Sequence, residues 1–237
     1  MAINNTTLQI KFRQRLNKLA SNDYDNIECW QIIESFNKAQ IEWCRKQLHG
    51  TNAYREGDEM SKRRVDDLQI LLTTQPIAGS VQKDYFLGVN FPSNYLEYKR
   101  VDTDATNECC KKDPRSMTVY LAEEANVDLI MRDPLKKPDF ECGETFCTLA
   151  NNTIRIYKNK NFDIVNPRLT FYRKPRNIEI EDCSDPYTNT ISIMDIESEF
   201  KDDIVEVIID EAVSIIAGDI NDANQYIRGA QQADKNN

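Results

Sequence analysis

The chain has a single histidine, His49, and only 7 glycines and 8 prolines in 237 residues. A Ser-His-Asp or Cys-His enzyme would have to be built on His49, and no GxSxG nucleophile elbow accompanies it. His49 falls at the end of a helical stretch, where a histidine interacts favourably with the carbonyl ends. No GxxxxGK[ST] phosphate loop and no GxGxxG fingerprint is present, so nucleotide-driven chemistry is not expected. Scarce glycine and proline exclude a low-complexity chain. No apolar run approaches the roughly 18 residues of a membrane helix. The first residues, MAINNTTLQIKFRQRL, lack the apolar stretch and small residues of a secretory signal. No membrane is expected as a partner, and assembly in a cytoplasm is.

A basic excess is also missing. Lys and Arg number 30 against 39 Asp and Glu, a net charge of −9, so the surface as a whole repels nucleic acid and anionic lipid. Any such contact must be local. The acid is concentrated late: residues 190–237 hold 11 acidic and 3 basic side chains.

Seven cysteines, an odd number scattered along the chain, suit reduced thiols better than a disulfide framework. Cys109, Cys110, Cys142 and Cys147 could supply four thiolates for zinc. Structural zinc sites use tight pairs such as CxxC, however, and adjacent cysteines seldom ligate one ion well. Neither a metal nor a cofactor is expected. Carboxylate pairs such as Asp202 with Asp203 and Asp210 with Glu211 belong to the polar face of a helix, and no enzymatic role is assigned.

What is present first is helical periodicity. From about residue 7 to 19, Leu8, Phe12, Leu16 and Leu19 form one stripe. Between Asp25 and Gly50, Ile27, Trp30, Ile33, Phe36, Ala39, Trp43 and Leu48 recur at three-to-four spacing, and Gly50 marks a stop. A third helix is predicted from about Asp58 to Leu72. From Ser198 to Ala217, Phe200, Ile204, Val207, Ile208, Val213, Ile215 and Ile216 make a broad apolar face, with Asp202, Asp203, Glu206, Asp210 and Glu211 assigned to the other.

Between these lies a β region of short runs punctuated by turns. Predicted strands cover residues 85–89, 95–102, 116–122, 127–132, 146–150, 153–158, 162–166 and 168–174, with ANN at 150–152 and NKN at 159–161 as turns between neighbouring antiparallel strands. The expected class is α+β. Residues 1–78 and 190–237 form one helical bundle with a flexible C-terminal tail, and residues 79–189 form an inserted antiparallel β-sandwich or barrel-like domain.

One stretch within it departs from the acidic balance. Residues 151–178 carry seven basic side chains, Arg155, Lys158, Lys160, Arg168, Arg173, Lys174 and Arg176, and one acidic one, Asp163. Period two places Ile154, Ile156, Leu169 and Phe171 in the core, and leaves Tyr157 and Tyr172 beside the charges. Arg155, Lys158, Lys160, Arg168, Tyr172, Arg173, Lys174 and Arg176 are therefore candidate contacts to another subunit or to nucleic acid. Single-strand binding through stacked bases is the alternative, and a solvated face is the third reading.

The segments NFPSNYLEYKRVD (90–102), DPLKKPDFECGETFCTLANNTIRIY (133–157), LTFYRKPRNIEI (169–180) and FKDDIVEVIIDEAVSIIAGDINDANQY (200–226), in this order of helices, strand-rich insertion, apolar helix and polar tail, resemble the head-to-tail connector proteins of tailed bacteriophages. The likeness is nearest to ring protein 1 of crAss-like phages. That resemblance implies a non-enzymatic virion protein: a subunit of a ring of about twelve copies, built from heterologous contacts. Such a ring docks under the portal protein, extends the DNA channel and attaches the next tail or ring protein. It also implies that the tail, here Tyr226, Ile227 and Arg228, reaches onto the portal. Genomic DNA should slide through without specific binding, because each neutralised phosphate adds affinity. The acidic final helix or an acidic loop is thus expected nearer the lumen than the basic strands.

Overall fold

The computed structural model describes residues 3–17, 27–49, 66–107 and 114–219. The chain is α+β. It divides into two compact units, one formed by residues 1–70 with 175–237 and the other by residues 71–174.

In the first unit, α1 (Asn5–Leu16) begins where the Asn4 side chain accepts the Thr7 N–H. It buries Leu8, Phe12 and Leu16 as their spacing predicts. The longer α2 (Cys29–His49) buries Ile32, Phe36, Ala39, Trp43 and Cys44. Of the third predicted helix, residues 58–65 lie outside the described residues, residues 66–68 are helical, and Leu72 already opens a strand. The last predicted helix is α4 (Asp202–Asp219), which lies against α1 and α2. Of its expected apolar face Phe200, Ile204, Ile208, Val213 and Ile216 are buried, while Val207 and Ile215 are half-buried.

Its acidic residues do not all face away. Asp210 and Glu211 are buried, because α1 and α2 bring cations to them: Arg15 reaches Asp210 at 2.8 Å and Lys46 reaches Glu211 at 2.5 Å. Lys11 and Arg15 both pair with Glu206. Residues 175–201 complete the unit. Asn37 of α2 acts as a backbone surrogate for Ile178, accepting its N–H at 2.9 Å, and Asn5 of α1 donates to the Glu179 carbonyl at 2.7 Å. Glu179 and Ile196 pair antiparallel, and β9 (Ser184–Asp185) pairs with β10 (Thr190–Ile191); Cys29 and Cys183 are bonded. That bond corrects the reading of all seven cysteines as reduced thiols: at a sequence separation of 154, no spacing rule connects the two.

The second unit is one curled eight-stranded sheet, a half-barrel. Its strands are β1 (Leu72–Pro76), β2 (Gly79–Val81), β3 (Tyr85–Gly88), β4 (Tyr95–Thr106), β5 (Arg115–Leu121), β6 (Glu144–Ala150), β7 (Thr153–Tyr157) and β8 (Asp163–Arg173). Their spatial order is β1-β8-β4-β5-β6-β7-β3-β2. Every neighbouring pair is antiparallel except β5 with β6. A parallel pair needs a crossover, and residues 122–143 provide it, including α3 (Val127–Arg132). The strand expected at 127–132 is therefore a helix: VDLIMR is too short for its period to decide, and Pro134 closes it.

The strands expected at 162–166 and 168–174 are one. Asn166 sits at φ 51°, and between Asp102↔Arg168 and Asp104↔Val165 β8 spends one residue more than β4. This is a bulge, which lets Pro167 sit in the strand without a ladder N–H. The turn at Asn151-Asn152 is as expected: both have positive φ, 52° and 59°, and Ala150 pairs with Thr153, the two-residue hairpin that asparagine favours. NKN at 159–161 instead leaves β7 for β8, which are not neighbours. The core lies on one face, where Phe86, Val101, Met117, Ile154, Ile156, Leu169 and Phe171 pack together.

Candidate functional site

The structure does not gather the basic stretch into one patch. Arg155 lies on β7 and Arg168 on β8, with β4, β5 and β6 between them in the sheet. Four strand spacings along the sheet amount to about 19 Å. Arg176 belongs to the first unit and the other seven candidates to the second.

The local chemistry also differs from residue to residue. Arg155 pairs with Glu124 at 2.6 Å, and its guanidinium lies 5.6 Å from the centre of the Tyr85 ring. Lys158 pairs with Asp163 at 2.5 Å and is nearly covered, its side chain 11% exposed. Lys160, Arg168, Lys174 and Arg176 are exposed. Arg173 is half-buried and donates to the Lys174 carbonyl at 3.3 Å. The Arg176 N–H donates to the Glu199 carboxylate at 3.0 Å.

The aromatic part of a base-stacking surface is spent inside the fold. Tyr157 and Tyr172 are both buried. Tyr157 stacks on Phe146 at 4.5 Å and meets Tyr85 at 5.8 Å, a row of rings running across β6, β7 and β3 on the face opposite the core. Tyr172 is buried with the Lys99 ammonium 5.9 Å from its ring centre, and burial followed by the charge of Glu97 pushes its hydroxyl pKa up. A stacking platform needs open ring faces, and these two tyrosines present none. Tyr226, Ile227 and Arg228 lie outside the described residues.

The thiols are arranged against reactivity. Burial, and then the charge of Glu199, pushes Cys44 up to about 12. Burial pushes Cys147 up to about 11, although a contact with the Tyr98 hydroxyl at 3.6 Å works the other way. Such thiols stay protonated near neutral pH, which makes them poor nucleophiles. Cys142 is exposed, but a hydrogen bond to Asp139 also pushes it up. Cys109 and Cys110 lie outside the described residues; among those described, no group of three His, Cys, Asp or Glu side chains could hold a metal ion. His49 is the last residue of α2. No described helix is long and apolar enough to cross a membrane.

Two features went unread in the sequence. One is an apolar groove in the first unit beside Trp30 and Ile193. Its walls come from residues 30–37 and 177–196, stretches remote in the sequence, so no local pattern announces it. The other is the turn after α3, where Leu135 is 90% exposed between cations. DPLKKP carries that signal openly, as a proline-bracketed turn presenting one leucine. No family model and no curated protein matches the chain.

Proposed function

We propose that the chain is a structural subunit of the head-to-tail connector of a tailed bacteriophage, a non-enzymatic ring protein that docks under the portal, extends the DNA channel and attaches the tail. In this reading the helices of the first unit act as the terminal bundle, and the sheet is the inserted domain that meets neighbours.

The observation that carries the reading is the discontinuous plan: both ends of the chain contribute to a helical unit, and a strand-rich unit of residues 71–174 is inserted between them. The charge balance supports it, since a net −9 surface suits a channel through which DNA slides. The final helix is a poorer channel lining than its composition implies, because Glu206, Asp210 and Glu211 are engaged by cations of α1 and α2. Acidic loops are the better candidates for that surface.

The test is a mass measurement of the purified protein, alone and mixed with its portal protein. A chain largely monomeric alone that forms a ring of about twelve copies on the portal supports the reading. A chain that ignores the portal sinks it.

The exposed Lys160, Arg168, Lys174 and Arg176 favour one second reading, a nucleic-acid-binding module. A salt-dependent gel shift abolished by Arg173→Ala, Lys174→Ala and Arg176→Ala together would favour it over the connector.

A further inference from the structure

We infer that the acidic-rimmed apolar groove of the helical unit receives the basic turn after α3 of a second copy of this chain. The inference rests on the connector reading, for which it supplies the two unlike faces of a head-to-tail contact.

The groove encloses about 570 Å³ between the start of α2 and residues 177–196. Its apolar surface comes from Trp30 and Ile33 on one side and Ile191, Ile193 and Met194 on the other. Ile193 is 87% exposed and Met194 61%, a cost that a monomer gains nothing from. The walls are fixed before any partner arrives: Glu179 and Ile196 are paired through their backbones, Cys29 is bonded to Cys183, and Tyr187 meets Trp30 edge-on at 6.0 Å. Preformed walls lower the entropy lost on docking.

The rim carries one sign of charge. Glu34, Glu179 and Asp185 line it, and no Lys, Arg or His does among the described residues. The Asp185 carboxyl is held below the usual carboxylate range by the Tyr187 N–H and the Thr188 hydroxyl, so it remains anionic at neutral pH. Such a rim repels nucleic acid and anionic lipid, and selects an apolar knob flanked by cations.

The chain itself carries such a knob. Leu129 and Leu135 are 68% and 90% exposed, and Arg132, Lys136 and Lys137 beside them are exposed. The turn is held rigid: the Asp133 carboxylate accepts the Leu135 N–H at 2.9 Å, the Asp133 carbonyl accepts the Lys137 N–H at 3.0 Å, and Pro134 and Pro138 bracket it. Three cations around an apolar projection thus match three carboxylates around an apolar floor. The cations of β8 offer no such match, because Leu169, Phe171 and Tyr172 beside them are buried.

The test replaces Ile193 with a photo-crosslinking residue in an equal mixture of isotope-labelled and unlabelled full-length protein, irradiated in the presence of the portal protein. Crosslinks between copies that map to residues 129–137 are expected. Assembly with crosslinks elsewhere, or only within one copy, overturns the inference and leaves the connector reading standing. If no assembly forms on the portal, the same irradiation of concentrated protein alone decides: crosslinks between copies to residues 129–137 uphold the groove contact while the connector reading falls, and their absence ends both. As a second readout, Lys136→Glu with Lys137→Glu should weaken association between copies about tenfold. Glu34→Lys with Glu179→Lys should do the same, and mixing the two double variants should recover it. Loss without recovery, at unchanged melting temperature, counts against the contact.

Discussion

The two units bury different polar groups. Among the described residues of the sheet unit, the buried polar side chains, tyrosines aside, are threonines: Thr103, Thr145, Thr148 and Thr170. In the helical unit they are Asn5, Ser35, Gln40, Gln47, Asp210, Glu211 and Ser214. Threonine suits a pleated surface and can satisfy its hydroxyl on a nearby carbonyl, as Thr145 does on the Tyr157 carbonyl at 2.6 Å. The amides and carboxylates of the helical unit instead tie remote pieces of chain together. Asn5 reaches Glu179 across 174 positions and Asn37 reaches Ile178 across 141. One unit is specified mainly by alternation, the other by polar ties that fix which apolar surfaces meet.

The largest change should come from breaking the sheet unit at its centre. Phe171 is fully buried in the core between β1 and β4, and Phe171→Ala should cost about 3–5 kcal/mol. Hydrogen exchange followed by mass spectrometry should show β3, β7 and β8 exchanging faster while α2 and α4 keep their protection. Equal loss in both would erase the distinction between the units.

The corresponding break in the helical unit is electrostatic. Arg15 binds Asp210 at 2.8 Å, contacts Glu206, and donates to the Glu206 carbonyl at 2.7 Å. Removing it takes a cation from a carboxylate that is almost covered, so Arg15→Ala should cost about 2–3 kcal/mol, somewhat below a fully buried pair because Arg15 keeps some solvent contact. Urea unfolding measures it. An effect within about 0.5 kcal/mol would mean that packing, and not charge, holds α4 to α1.

A smaller effect probes what the sheet unit takes from local sequence. Asn151 and Asn152 both hold positive φ in the β6–β7 hairpin. Replacing both with alanine should cost about 1–2 kcal/mol, and Asn152→Gly should recover or improve on the wild type. Stability unchanged by the alanines would show that cross-strand packing alone sets this register.

These cases show what the sequence could and could not convey. The hairpin, the alternation of Ile154, Ile156, Leu169 and Phe171 into the core, and the stripe of α1 were readable, because each is decided within a few residues; of the α2 stripe Ile27, Phe36, Ala39 and Trp43 are buried, whereas Trp30, Ile33 and Leu48 are only half-buried. The parallel β5–β6 pair was not, since it depends on a crossover whose helix, VDLIMR, has no decisive period. The basic stretch was legible as charge but not as a site. Sequence neighbours such as Arg155 and Arg168 are separated by the strand order, and Tyr157 and Tyr172 are hidden by rings and chain from elsewhere. The acidic residues of α4 were misplaced for a similar reason: a carboxylate's face is set by the cation it meets, and Lys11, Arg15 and Lys46 lie some 165 or more positions away.

Glu211 gives the finest test of that last point. Its carboxyl is buried, one oxygen lacks a hydrogen-bond partner, and Lys46 holds the other at 2.5 Å. Burial raises its pKa above the ordinary value of 4.5, the neighbouring Glu42 adds to the rise, and Lys46 offsets only part of it. A carboxyl with a higher pKa folded than unfolded binds its proton more tightly in the folded state. The stability this brings is fully present below the unfolded value and is lost as pH rises through the folded one. Glutamine resembles the protonated form and can donate to Glu42, so Glu211→Gln should be more stable than wild type by about 1 kcal/mol at pH 7. The two proteins should converge below about pH 4. Urea melts at the two pH values decide the matter: a variant weaker than wild type at pH 7 would show that the Lys46 ion pair outweighs the burial of the charge, and that the helical unit draws net stability from its buried acids.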